Sequence, residues 1–415
     1  MATGQADAQP IGQTVSRPIG QTVSQPIGQA VPLDTPRSLD NLAADTGTLF
    51  ADAQALGKRS HFPASFLGTR WRDVDEYRRE GRKLLLEALG TPAPAVEVRG
   101  EVVTLQDLGS FTREKILIRT APDLVAPAYL HLPKQRNGRL PAIVDLHSHG
   151  GMFLFGKEKV IDFGTNHPAM VRYHMDNYEG RPTATELVQR GYAVITIDAF
   201  GFGERRILLE EDRAAGWERA AYSLEDVERL NRKCRAKEST IVKTLAYSGH
   251  TLPGVIAWDD MRTVDYLLTR PEIDPTRIGC VGVSMGGWRS LVLAGLDSRV
   301  RAAVVVGFMS TARPMMQRHM DTHSFVHFIP GIHAHLDLPD IVGLRAPLPL
   351  LVQQCRQDGL FPLAGMEESL EKLSAIYRKA GQPEAFQGRF YDQKHIFNVE
   401  MQNDAFGWLD RHLRG

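Results

Sequence analysis

The stretch that most constrains this chain is Cys280-Val281-Gly282-Val283-Ser284-Met285-Gly286-Gly287, which carries the spacing G-x-S-x-G on Gly282, Ser284 and Gly286. An apolar run from Arg277 to Val283 leads in, and a helical run from Trp288 to Leu296 leads out. A strand that turns sharply into a helix around a serine is a specific arrangement. Small neighbours let strand and helix approach, and the strained turn lifts the hydroxyl to the carboxyl edge of a sheet. The helix N-terminus behind it favours developing negative charge. The pattern predicts a nucleophilic serine. Its plain structural alternative is a glycine-rich turn between a core strand and a helix.

A serine needs a base, and the base needs an orienting group. For this kind of turn the chain order is Ser, then Asp or Glu, then His. Pro347 to Val352 reads as a buried strand, and the loop after it carries Asp358. Phe386 to Tyr391 reads as a last strand, and the loop after it carries His395. Asp392 is a rival acid, but it lies close to His395 in sequence. The expected set is therefore Ser284, Asp358 and His395. An oxyanion site needs backbone N–H donors. One is expected from Met285, directly after the serine. The other is expected from the loop after the strand Ala142 to Leu146, where His147-Ser148-His149-Gly150-Gly151 resembles an H-G-x-G-G oxyanion loop. By that match the donor is the N–H of His149, with Gly150 as the runner-up. Ser148 stands where that loop usually has glycine. His147 is expected to pin the loop by hydrogen bonds.

The chain has 415 residues and a formal net charge of zero, so nothing in its charge points to nucleic acid or an anionic membrane. No stretch is long and apolar enough to span a bilayer. Three cysteines, Cys234, Cys280 and Cys355, make no disulfide framework, and the last two fall in apolar strands as buried thiols. The first residues, MATGQADAQPIGQ, lack a basic start and an apolar run. A cytoplasmic enzyme is the expectation.

Along the chain, residues 9–32 form a tandem repeat (QPIGQTVS, RPIGQTVS, QPIGQAVP) whose proline and glycine oppose helix and sheet. A tail over 1–36 and a helical arm over 37–95 are expected, the arm holding an amphipathic helix from Asp73 to Leu89, capped by Asp73 and stopped by Gly90. Val74, Tyr77, Leu84, Leu85 and Leu89 are its packing face. Three antiparallel lead-in strands follow: Glu101 to Leu108, Glu114 to Thr120 and Val125 to Pro133. Strands and helices then alternate to the end, which predicts an α/β fold with a parallel sheet covered on both faces over 96–415. Function belongs at the carboxyl edge of that sheet.

Insertions at about 152–181 and 200–253 leave strand ends on that edge and are expected to form a cap and pocket walls. The second carries a capped helix from Ser223 through Lys233. Phe153, Phe200 and Arg205 are substrate-binding candidates with Gly150, although an internal ion pair is the stronger reading for Arg205 and Glu204. His319, His323 and His327 recur every four residues, with His333 and His335 beyond. No H-E-x-x-H pattern accompanies them, and serine chemistry needs neither metal nor cofactor.

Taken together the sequence resembles an α/β-hydrolase, and is most similar to the bacterial branch of acetyl xylan esterase-like and dienelactone hydrolase-like proteins. The residues that carry this are Ala126-Pro127-Ala128-Tyr129-Leu130, His147 to Gly151, Asp198 to Gly203, Asp260-Met261-Arg262, Asp265-Tyr266-Leu267, Pro271-Glu272-Ile273-Asp274, Gly282 to Gly287, Asp358 and His395. The resemblance implies hydrolysis of carboxylic esters, short-acyl or acetyl, through an acyl-enzyme. Dienelactone hydrolases use a cysteine where this chain has Ser284, which points to an esterase. The expected partner is a small ester, and the N-terminal arm could serve a dimer. A prolyl-oligopeptidase-type peptidase would need a β-propeller-sized region that is missing. A non-catalytic binding protein would not need all of Ser284, Asp358 and His395.

Overall fold

A computed structural model describes residues 42–90, 96–212 and 222–414. The repeat at 9–32 and residues 213–221 of the second insertion lie outside the described residues. Nine strands form one sheet: β1 (Arg99–Asp107), β2 (Phe111–Ala121), β3 (Leu124–Pro133), β4 (Leu140–Leu146), β5 (Ala193–Ile197), β6 (Ile273–Val283), β7 (Val300–Val306), β8 (Leu350–Cys355) and β9 (Phe386–Tyr391). Their order is β1-β2-β3-β5-β4-β6-β7-β8-β9. The lead-in strands pair antiparallel with one another and with β5, and from β5 to β9 the pairing is parallel.

Side chains alternate across the central strands with the two-residue period of a pleated sheet. Val144, Leu146, Cys280, Ala303 and Val305 face one core, shared with Trp71, Tyr77, Leu85 and Trp288. Ile143, Val281, Val283, Val304 and Val306 face the other, shared with Phe406 and Leu409. Burial on both faces is why these strands read as continuous apolar runs rather than as alternating ones. Within the first core the helix Val74–Leu89 brings its apolar face. Asp73 caps it by accepting from the Asp75 N–H at 2.8 Å, and Gly90 ends it at φ 56°.

One expected boundary is corrected. The helix begun by Ser223 does not stop near Lys233 but runs Leu224–Tyr247. No glycine or proline interrupts 223–248, and Cys234 and Glu238 are buried along it, so packing sustains the later turns. The helix Leu252–Thr269 starts where Pro253 sits in the first turn, a place where a missing N–H costs nothing, and Thr251 caps it on the Gly254 N–H. The first insertion also holds the helix Pro168–Tyr178, capped by His167. Among the described residues no helix is long and apolar enough to cross a membrane.

Candidate active site

Ser284 stands alone between the end of β6 and the helix Met285–Leu296, at φ 60° and ψ −126°. A positive φ in a residue with a side chain costs about 1–3 kcal/mol. Its N–H donates to the Val306 carbonyl at 2.9 Å, and its carbonyl accepts from Trp288 at 3.0 Å. The motif glycines answer to close approach. A Cβ on Gly286 would stand 1.9 Å from the Leu146 carbonyl oxygen, and one on Gly282 would stand 2.5 Å from that of Gly286. The end of β4 and the turn after β6 thus touch backbone to backbone.

The parallel order β6-β7-β8-β9 sets the loops after those strands side by side. Asp358, in the loop after β8, has a side chain with no exposure, and its Oδ1 accepts the Leu360 N–H at 2.9 Å. Its Oδ2 lies 2.6 Å from Nδ1 of His395, which follows β9. A carboxylate can only accept, so Nδ1 carries a proton, and in the neutral ring Nε2 keeps its lone pair. Nε2 is buried and has no hydrogen-bond partner among the described residues. Ser284 and His395 line the same cleft without a hydrogen bond between them; such contacts often tighten only around substrate. Asp392 is exposed and accepts from the Gln357 amide at 2.8 Å instead. Gly307, just after β7, was not singled out by the sequence reading. It has φ 57°, and a Cβ there would stand 3.2 Å from Cε1 of His395. A glycine closing the Val-Val-Val run of β7 was the available signal.

The loop after β4 is heavily pinned. His147 Nε2 accepts the Ala199 N–H at 3.0 Å, so its Nδ1 is the donor to the Ser148 carbonyl at 2.9 Å. Burial, with Lys159 and Arg289 nearby, holds His147 well below the usual histidine range, hence neutral. His149 Nδ1 accepts the Gly151 N–H at 3.0 Å, while its Nε2 stands 3.6 Å from Oε1 of Glu238, just beyond hydrogen-bond length. Burial lowers the His149 pKa, and Glu238 partly opposes this. The Ser148 hydroxyl meets the Tyr173 hydroxyl at 2.6 Å. Neither the His149 N–H nor the Met285 N–H donates to another described residue. Met285 opens its helix, so its N–H has no intrahelical acceptor.

The cleft has a volume of about 230 Å³. Val283, Phe308, Leu360, Phe361 and Ile396 give it apolar wall, and His149 and Gly150 line it beside Ser284. The insertions contribute Asn177 and Arg235. The other substrate candidates are not brought there. Phe153 and Phe200 line a separate cavity of about 20 Å³. Phe153 stacks on Phe202 at 5.0 Å and backs the His149 ring at 4.9 Å, so its surface is spent on packing. Arg205 is bound to buried Asp259 at 2.5 Å, and Glu204 to Lys115 at 2.8 Å and Lys157 at 2.6 Å. These charges are internal ion pairs.

The histidine series divides. His323 lines the cleft, with Nδ1 donating to the His319 carbonyl at 2.6 Å and Nε2 buried with no hydrogen-bond partner among the described residues. His327 packs beside it at 5.0 Å and is held down at about 3 by burial. No group of three or more His, Cys, Asp and Glu among the described residues is placed to hold a metal ion. Sequence reasoning missed Phe308, Thr322 and Ser324 as cleft wall, and it read His323 only as one of a histidine series spaced every four residues.

A model of the Abhydrolase family matches residues 53–406. The chain is 26% identical to the "Putative hydrolase YtaP" of Bacillus subtilis (strain 168) over 338 residues, 81% of this chain and the whole of that protein. Among solved structures it is similar to a "putative acetyl xylan esterase" from Bacteroides fragilis NCTC 9343, with TM-score 0.61, 20% identity, and coverage of 85% of this chain and 86% of that one. It is likewise similar to the glucuronoyl esterase from Solibacter usitatus, with TM-score 0.57, 15% identity, and coverage of 80% and 92%. These likenesses agree with the sheet order, and the family match spans most of the sequence: the chain belongs to the Abhydrolase family and has the α/β-hydrolase fold.

Proposed function

We propose that this protein hydrolyses short-acyl carboxylic esters through an acyl-enzyme on Ser284. The observation that carries the reading is the joint placement of Ser284 on a strained turn and of His395, held by Asp358 at 2.6 Å, in one cleft. In the first step Nε2 of His395 takes the Ser284 proton as Oγ attacks the ester carbonyl. Buried Asp358 keeps the imidazole in the reactive tautomer and stabilises its cation. The N–H groups of Met285 and His149 receive the oxyanion, and His395 returns the proton to the departing alcohol. Water, deprotonated by His395, then attacks the acyl-enzyme; the tetrahedral intermediate expels Ser284 Oγ, which takes the proton back from His395, and the acid leaves. The relatives named as a hydrolase, an acetyl xylan esterase and a glucuronoyl esterase support this chemistry. A cleft of about 230 Å³ supports a small acyl group, being below the ~300–1,000 Å³ usual for larger ligands.

The test is hydrolysis of 4-nitrophenyl esters from acetate to octanoate by wild type, Ser284→Ala and Asp358→Asn. We expect turnover that falls as the chain lengthens, vanishes in Ser284→Ala and drops about 10⁴-fold in Asp358→Asn. Equal rates in wild type and Ser284→Ala would remove Ser284 as nucleophile. Peptide cleavage without ester cleavage would move the reading to a peptidase.

A further inference from the structure

One buried cation is left unexplained by the steps above. Lys159 has no exposure and makes no direct ion pair among the described residues, Asp198 and Glu158 acting on it only from beyond salt-bridge distance. Its ammonium donates to the carbonyl of Ser148 at 2.8 Å and to the carbonyl of His149 at 2.9 Å, and it lies 4.6 Å from the Phe202 ring centre. Burying a lysine without a carboxylate in direct contact is costly, and an apolar residue of similar length would fill the space with less penalty. Neither carbonyl depends on it: the first also accepts from His147 Nδ1 at 2.9 Å, the second from the Met152 N–H at 3.1 Å. Structure alone gives poor reason for a lysine here.

The peptide plane supplies a better one. In a trans peptide the C=O of one residue and the N–H of the next point in opposite directions. With the Ser148 and His149 carbonyls both turned to Lys159, the N–H groups of His149 and Gly150 are both turned away from it. His149 and Gly150 line the cleft with Ser284. We infer that Lys159 is a positioning residue, which clamps two consecutive peptides so that the His149 and Gly150 N–H groups are aimed at the oxyanion before substrate arrives. This rests on the ester-hydrolase reading above and extends it to the choice of donors. Burial holds the Lys159 ammonium well below the usual lysine range, and the amine donates to both carbonyls in either protonation state.

The experiment uses the full chain with Lys159→Met and Lys159→Gln, the second keeping an N–H donor without the charge. For each, kcat and KM on 4-nitrophenyl acetate are compared with Ki for phenylboronic acid, whose tetrahedral serine adduct places an oxygen in the oxyanion site, and with Tm. Losing an oxyanion donor costs about 10²–10³ in kcat. We expect Lys159→Met to lose kcat on that scale, to weaken boronate by a similar factor, to leave KM within about threefold and to keep or raise Tm. Lys159→Gln should recover part of the loss. If both variants keep kcat and boronate Ki within about twofold of wild type while Ser284→Ala is inactive, the clamp is overturned and the esterase reading stands. A fall in Tm without a change in boronate affinity would reduce Lys159 to a packing residue. Wild type without Ser284-dependent turnover would instead sink the underlying reading.

Discussion

Single atoms decide whether the proposed base can work. His395 is fixed from one side by Asp358 at 2.6 Å and approached from another by Gly307. Alanine at 307 would put a methyl group 3.2 Å from the imidazole and would also have to adopt φ 57°. The left-handed backbone alone costs an L-residue about 1–2 kcal/mol. Gly307→Ala is therefore expected to destabilise by about that amount and to lower kcat on 4-nitrophenyl acetate by about tenfold or more, since a small misplacement of the proposed base would be expensive. Full activity with an unchanged melting curve would show that the ring has room to yield.

Among elements, the helix Leu224–Tyr247 ties the second insertion to the cleft. Asn231 Oδ1 accepts the N–H groups of Phe153 at 2.8 Å and Leu154 at 3.2 Å. Glu238 accepts the Ser324 hydroxyl at 2.5 Å and stands beside His149. The first insertion is fastened in the same way, for the Asn177 carbonyl accepts the Phe397 N–H at 2.9 Å, two residues beyond His395. Asn231→Ala would leave two N–H groups short of their acceptor, at about 1–3 kcal/mol for a buried unpaired donor. A shift of that size in the urea midpoint, with a raised KM, is the expected result. An unchanged midpoint would mean that the helix is not anchored through this residue.

The whole molecule carries a pH signature beneath the site. Asp145, on β4, is buried, accepts from Thr183 at 2.7 Å and is pushed up to about 7 by burial, against the opposing effects of Thr183 and Arg289. An unfolded aspartate titrates near 3.9. The folded state thus holds the proton longer, and this group's contribution to stability is full below about pH 4 and lost as pH rises through about 7. Asp145→Asn, which cannot ionise, should flatten the fall in unfolding free energy between about pH 4 and pH 7 and stabilise the protein at pH 8. A variant that tracks wild type at every pH would refute the burial argument.

Much of this is legible in the sequence itself. Short-range rules determined the strands, whose runs of Val, Ile and Ala announce burial on both faces. They also determined the caps at Asp73, Gly90 and Ser223, and the strand-turn-helix around Ser284. Each depends on residues a few positions apart, which sequence displays directly. The order Ser284, Asp358, His395 was readable for the same reason, as each follows an apolar run. The tertiary structure decided what joins distant segments. It set Gly307 against His395, turned Phe153 and Arg205 inward, carried the Ser223 helix on to Tyr247, brought His323 to the cleft wall and placed Lys159 under the carbonyls of Ser148 and His149. Local signals reach only part of this, such as the glycine that closes the β7 run and the ion pair expected at Arg205. The partners themselves are not signalled, because a side chain's partner across the sheet edge is chosen by strand order and packing, not by its neighbours in the chain.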